Sequence, residues 1–352
     1  MMLQPSAAFL SPARPRAIAS WLFLMAGLIV AMVVIGGITR LTESGLSITE
    51  WKPISGVIPP LNDAQWQAEF ANYRRIPEYA AFNRGMTLAG FKAIFFWEYL
   101  HRLVGRVIGL AFALPLIWFA VRRRIPAGYG ARLCALLALG GLQGAIGWWM
   151  VASGLSVRTD VSHIRLAIHL LTALTILAGM VWTGLDLLAL SRDPLAVPAR
   201  PAPVAVIALA LLVVQLLYGA FTAGLDAGYA FASWPLMGDT LFPAGTPMVD
   251  PAWRNAVDNP VVVQFIHRWW AMIAAAGLTW LAVRATACRS RAGFVVVALV
   301  TLQIILGIAT LMTGVNIHVA VAHQANAALL LIATVVAAHA VSRGTPASPR
   351  PE

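Results

Sequence analysis

Apolar residues run along this chain in stretches of about twenty or more, separated by short polar segments. About 20 apolar residues cover the hydrocarbon core of a bilayer, so the pattern predicts membrane-crossing helices. Eight such stretches stand at roughly 18–39, 90–121, 130–152, 164–190, 203–225, 260–284, 292–313 and 318–341. The first follows Arg14 and Arg16 and stays apolar to about Ile38. That is too long for the core of a secretion signal, and no small-residue cleavage site follows, so it is read as a first span. The second is over-long and predicts a helix that tilts or projects beyond the bilayer. The connection at 41–89 carries Trp51, Trp66, Phe70, Tyr73, Tyr79 and Phe82, which predicts a packed cap.

The polar segments alternate in charge. Arg14 and Arg16, Arg122 to Arg124, Arg192 and Arg200, Arg284, Arg289 and Arg291, and Arg343 and Arg350 all fall on one side if there are eight spans. The opposite connections mix signs or are acidic, with Glu43, Glu50, Asp63, Glu69 and Glu78, then Asp226, Asp239, Asp250 and Asp258. The positive-inside rule then places both termini in the cytoplasm, as tails over 1–17 and 342–352. The Pro-, Arg- and Ser-containing tail after about Ala340 is expected to lack fixed structure. Composition agrees: 60% of residues are hydrophobic and only 11% charged, against about 25% in a soluble domain. The net charge of +11 sits in clusters at span ends, so it encodes orientation and does not point to nucleic acid. Cys134 and Cys288 form no disulfide framework or zinc spacing and are expected to be small buried hydrophobes.

The sequence also repeats. Gly36-Gly37-Ile38-Thr39 with Gly45 and Trp51 matches Gly219-Ala220-Phe221-Thr222 with Gly228 and Trp234 at one constant offset. Tyr99-Leu100-His101-Arg102 matches Phe265-Ile266-His267-Arg268. Gln143, Gly147 and Gly154 match Gln303, Gly307 and Gly314, and Ala167-Ile168-His169 matches Val321-Ala322-His323. The predicted fold class is therefore an all-α polytopic membrane protein. Its eight transmembrane helices form two tandem four-helix bundles, 18–195 and 196–341, related by a pseudo-two-fold along the membrane normal.

Ionisable residues inside spans are functional hypotheses by default. His101, His169, His267 and His323 occupy repeat-equivalent places near the extracytoplasmic ends of their spans. Two imidazoles from two helices can hold one haem iron between them, so each half is expected to bind one haem. A hydrogen-bonded core histidine competes with that account at any single position, less so at four matched ones. His163, His318 and His339 are expected to be structural or at the surface. Arg102 and Arg268 follow paired histidines and suit haem propionates, with interfacial snorkelling as the alternative. Glu98 lies one turn before His101, whereas the second half has Gln264. A carboxylate beside one haem only suggests proton transfer there, or simply an ion pair with Arg102.

The stretches Gly36 to Ser47, Glu50-Trp51-Lys52-Pro53, Glu98 to Arg102, Arg165 to His169, His267-Arg268 and Ala322-His323-Gln324 together resemble the haem A synthase family (CtaA/Cox15) over nearly the whole chain. The absence of cysteine pairs from the outer loops looks like the Cox15-like branch. The resemblance implies a multi-pass enzyme of the bacterial inner membrane that oxidises a ring methyl of haem O to the formyl group of haem A. It implies a haem b cofactor on His267 and His323, and substrate haem on His101 and His169 with Glu98 beside it. It also implies a haem O-producing prenyltransferase upstream and a haem–copper oxidase, or its assembly factors, downstream. Homo-oligomer formation is left open. A di-haem electron-transfer protein of cytochrome b type, or a haem carrier, would also explain four intramembrane histidines. Neither accounts for the unmatched Glu98 or the patterned outer loop.

Overall fold

The computed structural model describes residues 13–344, so much of the two expected tails lies outside the described residues. The helices are α1 (Pro15–Leu41), α2 (Asp63–Tyr73), α3 (Pro77–Phe82), α4 (Leu88–Val121), α5 (Gly130–Ala152), α6 (His163–Arg192), α7 (Pro203–Gly224), α8 (Asn255–Asp258), α9 (Pro260–Ala287), α10 (Ala292–Met312) and α11 (Ile317–Gly344). Among the described residues there is no strand. Eight helices (α1, α4 to α7, and α9 to α11) are long and apolar enough to cross a membrane. They coincide with the eight stretches, with ends shifted by a few residues, and α11 continues past Ala340 to Gly344. The helix starts have local causes. Pro15, Pro203 and Pro260 open α1, α7 and α9, where a missing N–H breaks no helical bond. Thr87 caps α4 by accepting from the Gly90 N–H, and Asn259 caps α9 by accepting from Val261 and Val262.

Helices α1, α6, α7 and α11 pack on one another and bury the main apolar core, which includes Leu22, Met25, Leu177, Ala205, Leu331 and Ala338. Helices α4 and α5 flank this group on one side, α9 and α10 on the other. The flanking α5 and α10 bury few residues: Leu133 and Leu136 in α5, Gly293, Val296 and Val300 in α10. Their outward faces are apolar because they face lipid, which competes for apolar side chains as well as a core does. The cysteines follow that logic and correct the expectation of burial. Cys134 and Cys288 are both exposed free thiols, because in a bilayer an outward apolar position costs nothing.

Two sets of bonds fix the ends. At one end the Arg14 N–H donates to the Arg124 carbonyl (2.9 Å), the Ala202 N–H to Ser342 Oγ (3.0 Å) and Arg343 to the Val197 carbonyl (3.1 Å). This end gathers the arginine clusters. At the other, Arg40 pairs with Asp226 at 2.7 Å and His163 with Asp258 at 3.2 Å. Between α6 and α11, buried Asp186 meets His339 Nε2 at 3.0 Å and Arg132 at 2.8 Å. His163 and His339 are thus buried structural links, whereas His318 is exposed.

Helix α4 has 34 residues, about 51 Å at 1.5 Å per residue, against about 30 Å of hydrocarbon. The excess joins the cap. Phe91 and Phe95 of α4 pack with Leu46, Ile48, Phe70, Tyr73 and Ile76. Phe70 stacks on Phe91 at 4.9 Å, and Trp66 meets Phe95 edge-on at 5.0 Å. Trp51 and Phe82 stay exposed, and Trp51 leans on Trp148 of α5 at 5.0 Å.

Candidate functional site

The four repeat-matched histidines come together in pairs. His101 of α4 and His169 of α6 lie within electrostatic range of each other, and so do His267 of α9 and His323 of α11. His169, His267 and His323 sit six or seven residues into their helices, about 9–10 Å from the helix start. His101 lies deeper in α4 only because α4 begins up in the cap.

Each imidazole rests on a glycine of a neighbouring helix. A Cβ at Gly147 would stand 2.9 Å from His169 Cε1, one at Gly307 3.0 Å from His323 Cε1. The same holds for Gly36 under His101 (3.1 Å) and Gly219 under His267 (3.2 Å). Only a residue without Cβ lets ring and helix approach this closely. Glutamines hold three of the rings. Gln143 Nε2 lies 3.1 Å from His169 Nδ1, Gln215 Nε2 3.1 Å from His267 Nδ1, and Gln303 Nε2 3.2 Å from His323 Nδ1. Asn326 in turn donates to Gln303 Oε1 at 2.6 Å.

Glu98 is buried one turn from His101. Its Oε2 accepts from the Ser47 hydroxyl (2.7 Å) and the Ile48 N–H (2.6 Å), and its Oε1 from Arg102 (2.5 Å). Arg102 also donates to the carbonyls of Ile48 (2.7 Å) and Glu50 (3.0 Å). In the second half Gln264 does the converse. Its amide donates to the Phe231 carbonyl at 3.1 Å, and its Oε1 accepts from Arg268 at 3.2 Å. Arg268 donates to the carbonyls of Phe231 (2.8 Å) and Ser233 (2.7 Å). The difference between Glu98 and Gln264 therefore matches what each loop offers: donors in the first half, carbonyls in the second. Both arginines direct N–H groups at loop carbonyls beside the paired histidines. Only Arg102 has a carboxylate partner.

A model of the COX15-CtaA family, described as cytochrome oxidase assembly protein, matches residues 19–335. The chain belongs to this family. A protein of Rhizorhabdus wittichii named Heme A synthase is 60% identical over 332 residues, covering 94% of this chain and 95% of its own. Another of that name from Sphingopyxis alaskensis is 56% identical over 348 residues, covering 97% and 96%. A third, from Novosphingobium aromaticivorans, is 50% identical over 332 residues, covering 92% and 94%. Together with the eight apolar helices, these relatives make the chain a multi-pass membrane protein of a haem-associated family.

The residues present fit a haem. Among the described residues no cluster of three or more His, Cys, Asp or Glu could hold a bare metal ion. A pair of imidazoles from two helices suffices only for an ion that brings its own equatorial ligands, as haem iron does. Gln143, Gln215, Gln303 and Asn326, which contact the rings or one another, were not singled out as ring supports in the sequence. Gln143 and Gln303 recur in the repeat, which was a signal. Gln215 and Asn326 do not, and only the rotation of α7 and α11 brings them to the site.

Proposed function

We propose that this chain is a haem A synthase, oxidising a ring methyl of haem O to a formyl group for assembly of a haem–copper oxidase. The pair of imidazoles in each half, each seated on a glycine, is the observation that carries this reading. Kinship to proteins named Heme A synthase over more than nine-tenths of the chain supports it. The first half (18–195) takes substrate haem O on His101 and His169. The second (196–341) holds a resident haem b on His267 and His323. The halves are two four-helix bundles related by a pseudo-two-fold along the membrane normal, with both termini in the cytoplasm. A haem O-producing prenyltransferase supplies the substrate.

When bound between His267 and His323, haem b would supply one-electron redox chemistry. The chain's own residues do the rest. His101 and His169 orient the substrate ring, and the glycines under them fix its height. The bonds from Arg102 to Ile48 and Glu50 and from Arg268 to Phe231 and Ser233 hold the outer loops beside the histidine pairs. The guanidinium charges offset haem propionates nearby. The Arg268 charge, facing a neutral Gln264, favours the reduced state of the second site. Glu98 is the carboxylate available at the substrate site. Release of the Ser47 hydroxyl frees an oxygen there to take a proton.

Co-expression with a haem O-producing prenyltransferase, followed by haem extraction, chromatography and mass detection, tests the reading. Haem A or its hydroxylated precursor is expected, lost in His101→Ala, and lost in Glu98→Gln with bound pigment retained. Haem O left untouched by the wild-type chain, with a working electron acceptor present, would turn the assignment to a di-haem electron-transfer protein.

A further inference from the structure

Three of the four paired imidazoles have a glutamine amide against Nδ1, and the fourth does not. His101 Nδ1 is buried and has no hydrogen-bond partner. The cause is visible at a single position. Gln215 stands one turn before Gly219 in α7. One turn before the matching Gly36, in α1, stands Met32. Its Cε lies 3.2 Å from where Gly105 would carry a Cβ, one turn along α4 from His101. Met32 therefore occupies the place on α1 from which an amide would reach the ring.

An imidazole that binds iron through Nε2 carries its proton on Nδ1, and an acceptor there orients the ring and raises its basicity. A glutamine presents its oxygen after a half-turn of the amide. The Oε1 atoms of Gln143 and Gln215 are both buried without a partner, so the half-turn breaks no bond to oxygen, and it exchanges the bonds their Nε2 atoms donate to the His169 and His267 carbonyls (2.9 and 3.1 Å) for the one to the iron-bound ring. A thioether sulfur is at best a weak acceptor. His101 thus has neither the orienting bond nor the gain in basicity that His169 and His267 can draw on; the Gln303 oxygen beside His323 is taken by Asn326.

We propose that Met32 makes His101 the weakly held axial ligand, so that the first-half haem exchanges while the second-half haem stays. This rests on the reading that each histidine pair holds one haem. It fits the different demands on the two sites. A substrate site must release what it has made, and a cofactor site must not. His169, backed by Gln143, remains the fixed anchor of the pair. Met32 is a positioning residue in this account, acting through His101.

The test uses the full-length protein in lipid nanodiscs loaded with haem b in both sites. Two readouts need no turnover: carbon monoxide binding to the reduced protein, and the rate of haem transfer to excess apomyoglobin. In the wild type one of two haems is expected to bind carbon monoxide and to transfer fast. Met32→Gln should suppress carbon monoxide binding and slow that transfer by about 10–100-fold, the usual reach of groups that orient a ligand. Gln215→Met should do the reverse and make the second haem exchange. It removes a polar group from an apolar helix, so it decides the matter even if Met32→Gln takes up no haem. Two loaded haems with rates and carbon monoxide binding unchanged in Gln215→Met would overturn the inference and leave the functional assignment intact. A wild-type protein that takes up only one haem even when haem O is offered beside haem b would overturn both.

Discussion

A Cβ at Gly307 would stand 3.0 Å from His323 Cε1, yet one at Gly141 in α5 would meet nothing within 4 Å. Both stand inside apolar helices, but only Gly307 recurs in the repeat, and the two differ in what faces them. Leucine is a good helix former, so neither Gly307→Leu nor Gly141→Leu weakens its helix. Gly307→Leu should displace the His323 ring and abolish the second-half haem spectrum with circular dichroism unchanged. Gly141→Leu should leave the spectrum intact. A normal haem spectrum in Gly307→Leu would show that the ring does not need the glycine. The histidines were legible in the sequence because they recur and because an ionisable group in a span is costly. Their supports were less so. Nothing in α7 distinguishes Gln215 from any polar residue tolerated in a span until the helix is placed against His267. His163 and His339 were legible as residues but not as links, because Asp258 and Asp186 lie far along the chain and on other helices.

At the scale of elements, the cap shows what aromatic content predicts and what it misses. It forecast packing, and α2, α3 and the head of α4 provide it, but Trp51 and Phe82 remain at the surface. Short-range chemistry sets its helices. Asn62 Oδ1 accepts from the Gln65 N–H at 3.0 Å, and Gln65 Oε1 accepts from the Leu61 N–H at 2.7 Å, a reciprocal cap at the start of α2. Inside the cap, Glu78 is buried and accepts from the Tyr73 hydroxyl at 2.8 Å, while Asn83 donates to the Tyr73 oxygen at 2.7 Å. Burial pushes the Glu78 carboxyl up to about 8; the Tyr73 bond opposes this, and the negative charges of Glu98, Glu43 and Asp160 reinforce it. A carboxyl with a raised folded pKa binds more protons folded than unfolded. Its stabilising effect is thus complete in acid, below its ordinary pKa near 4.5, and is lost as pH rises through about 8. Amide exchange across α2 and α3, corrected for intrinsic rates, should therefore speed up between pH 6 and pH 9. Glu78→Gln should remove that dependence. Equal protection at both pH values in the wild type would refute it.

For the whole molecule, Asp186 is one of the ties between residues 18–195 and 196–341, beside the Arg40–Asp226 and His163–Asp258 pairs. It bonds to Arg132 of its own half, to His339 of the other, and to the Ala199 N–H of the connecting segment at 2.9 Å. Bonds to a charged group contribute about 1.5–3 kcal/mol each, and removing one partner leaves others unpaired. Arg132 is partly exposed and re-solvates, so the loss should lie at the lower end. Asp186→Asn should lower the thermal midpoint in detergent by several degrees with both haem sites still filled. An unchanged midpoint would mean that the packing of α1, α6, α7 and α11, with the Arg40–Asp226 and His163–Asp258 pairs, holds without this link. The same arrangement decides where traffic can pass. Because those four helices occupy the centre, α5 and α10 stand between the histidine pairs and the lipid, each packed on its neighbours along one face only. Under the proposed function, a porphyrin bearing a long hydrocarbon tail would reach either pair past such a wall, from within the bilayer. Supply to the site is then a two-dimensional search, governed by mole fraction in lipid and by lateral diffusion. Neighbours in the same membrane could pass on their cargo without its ever being dissolved in water.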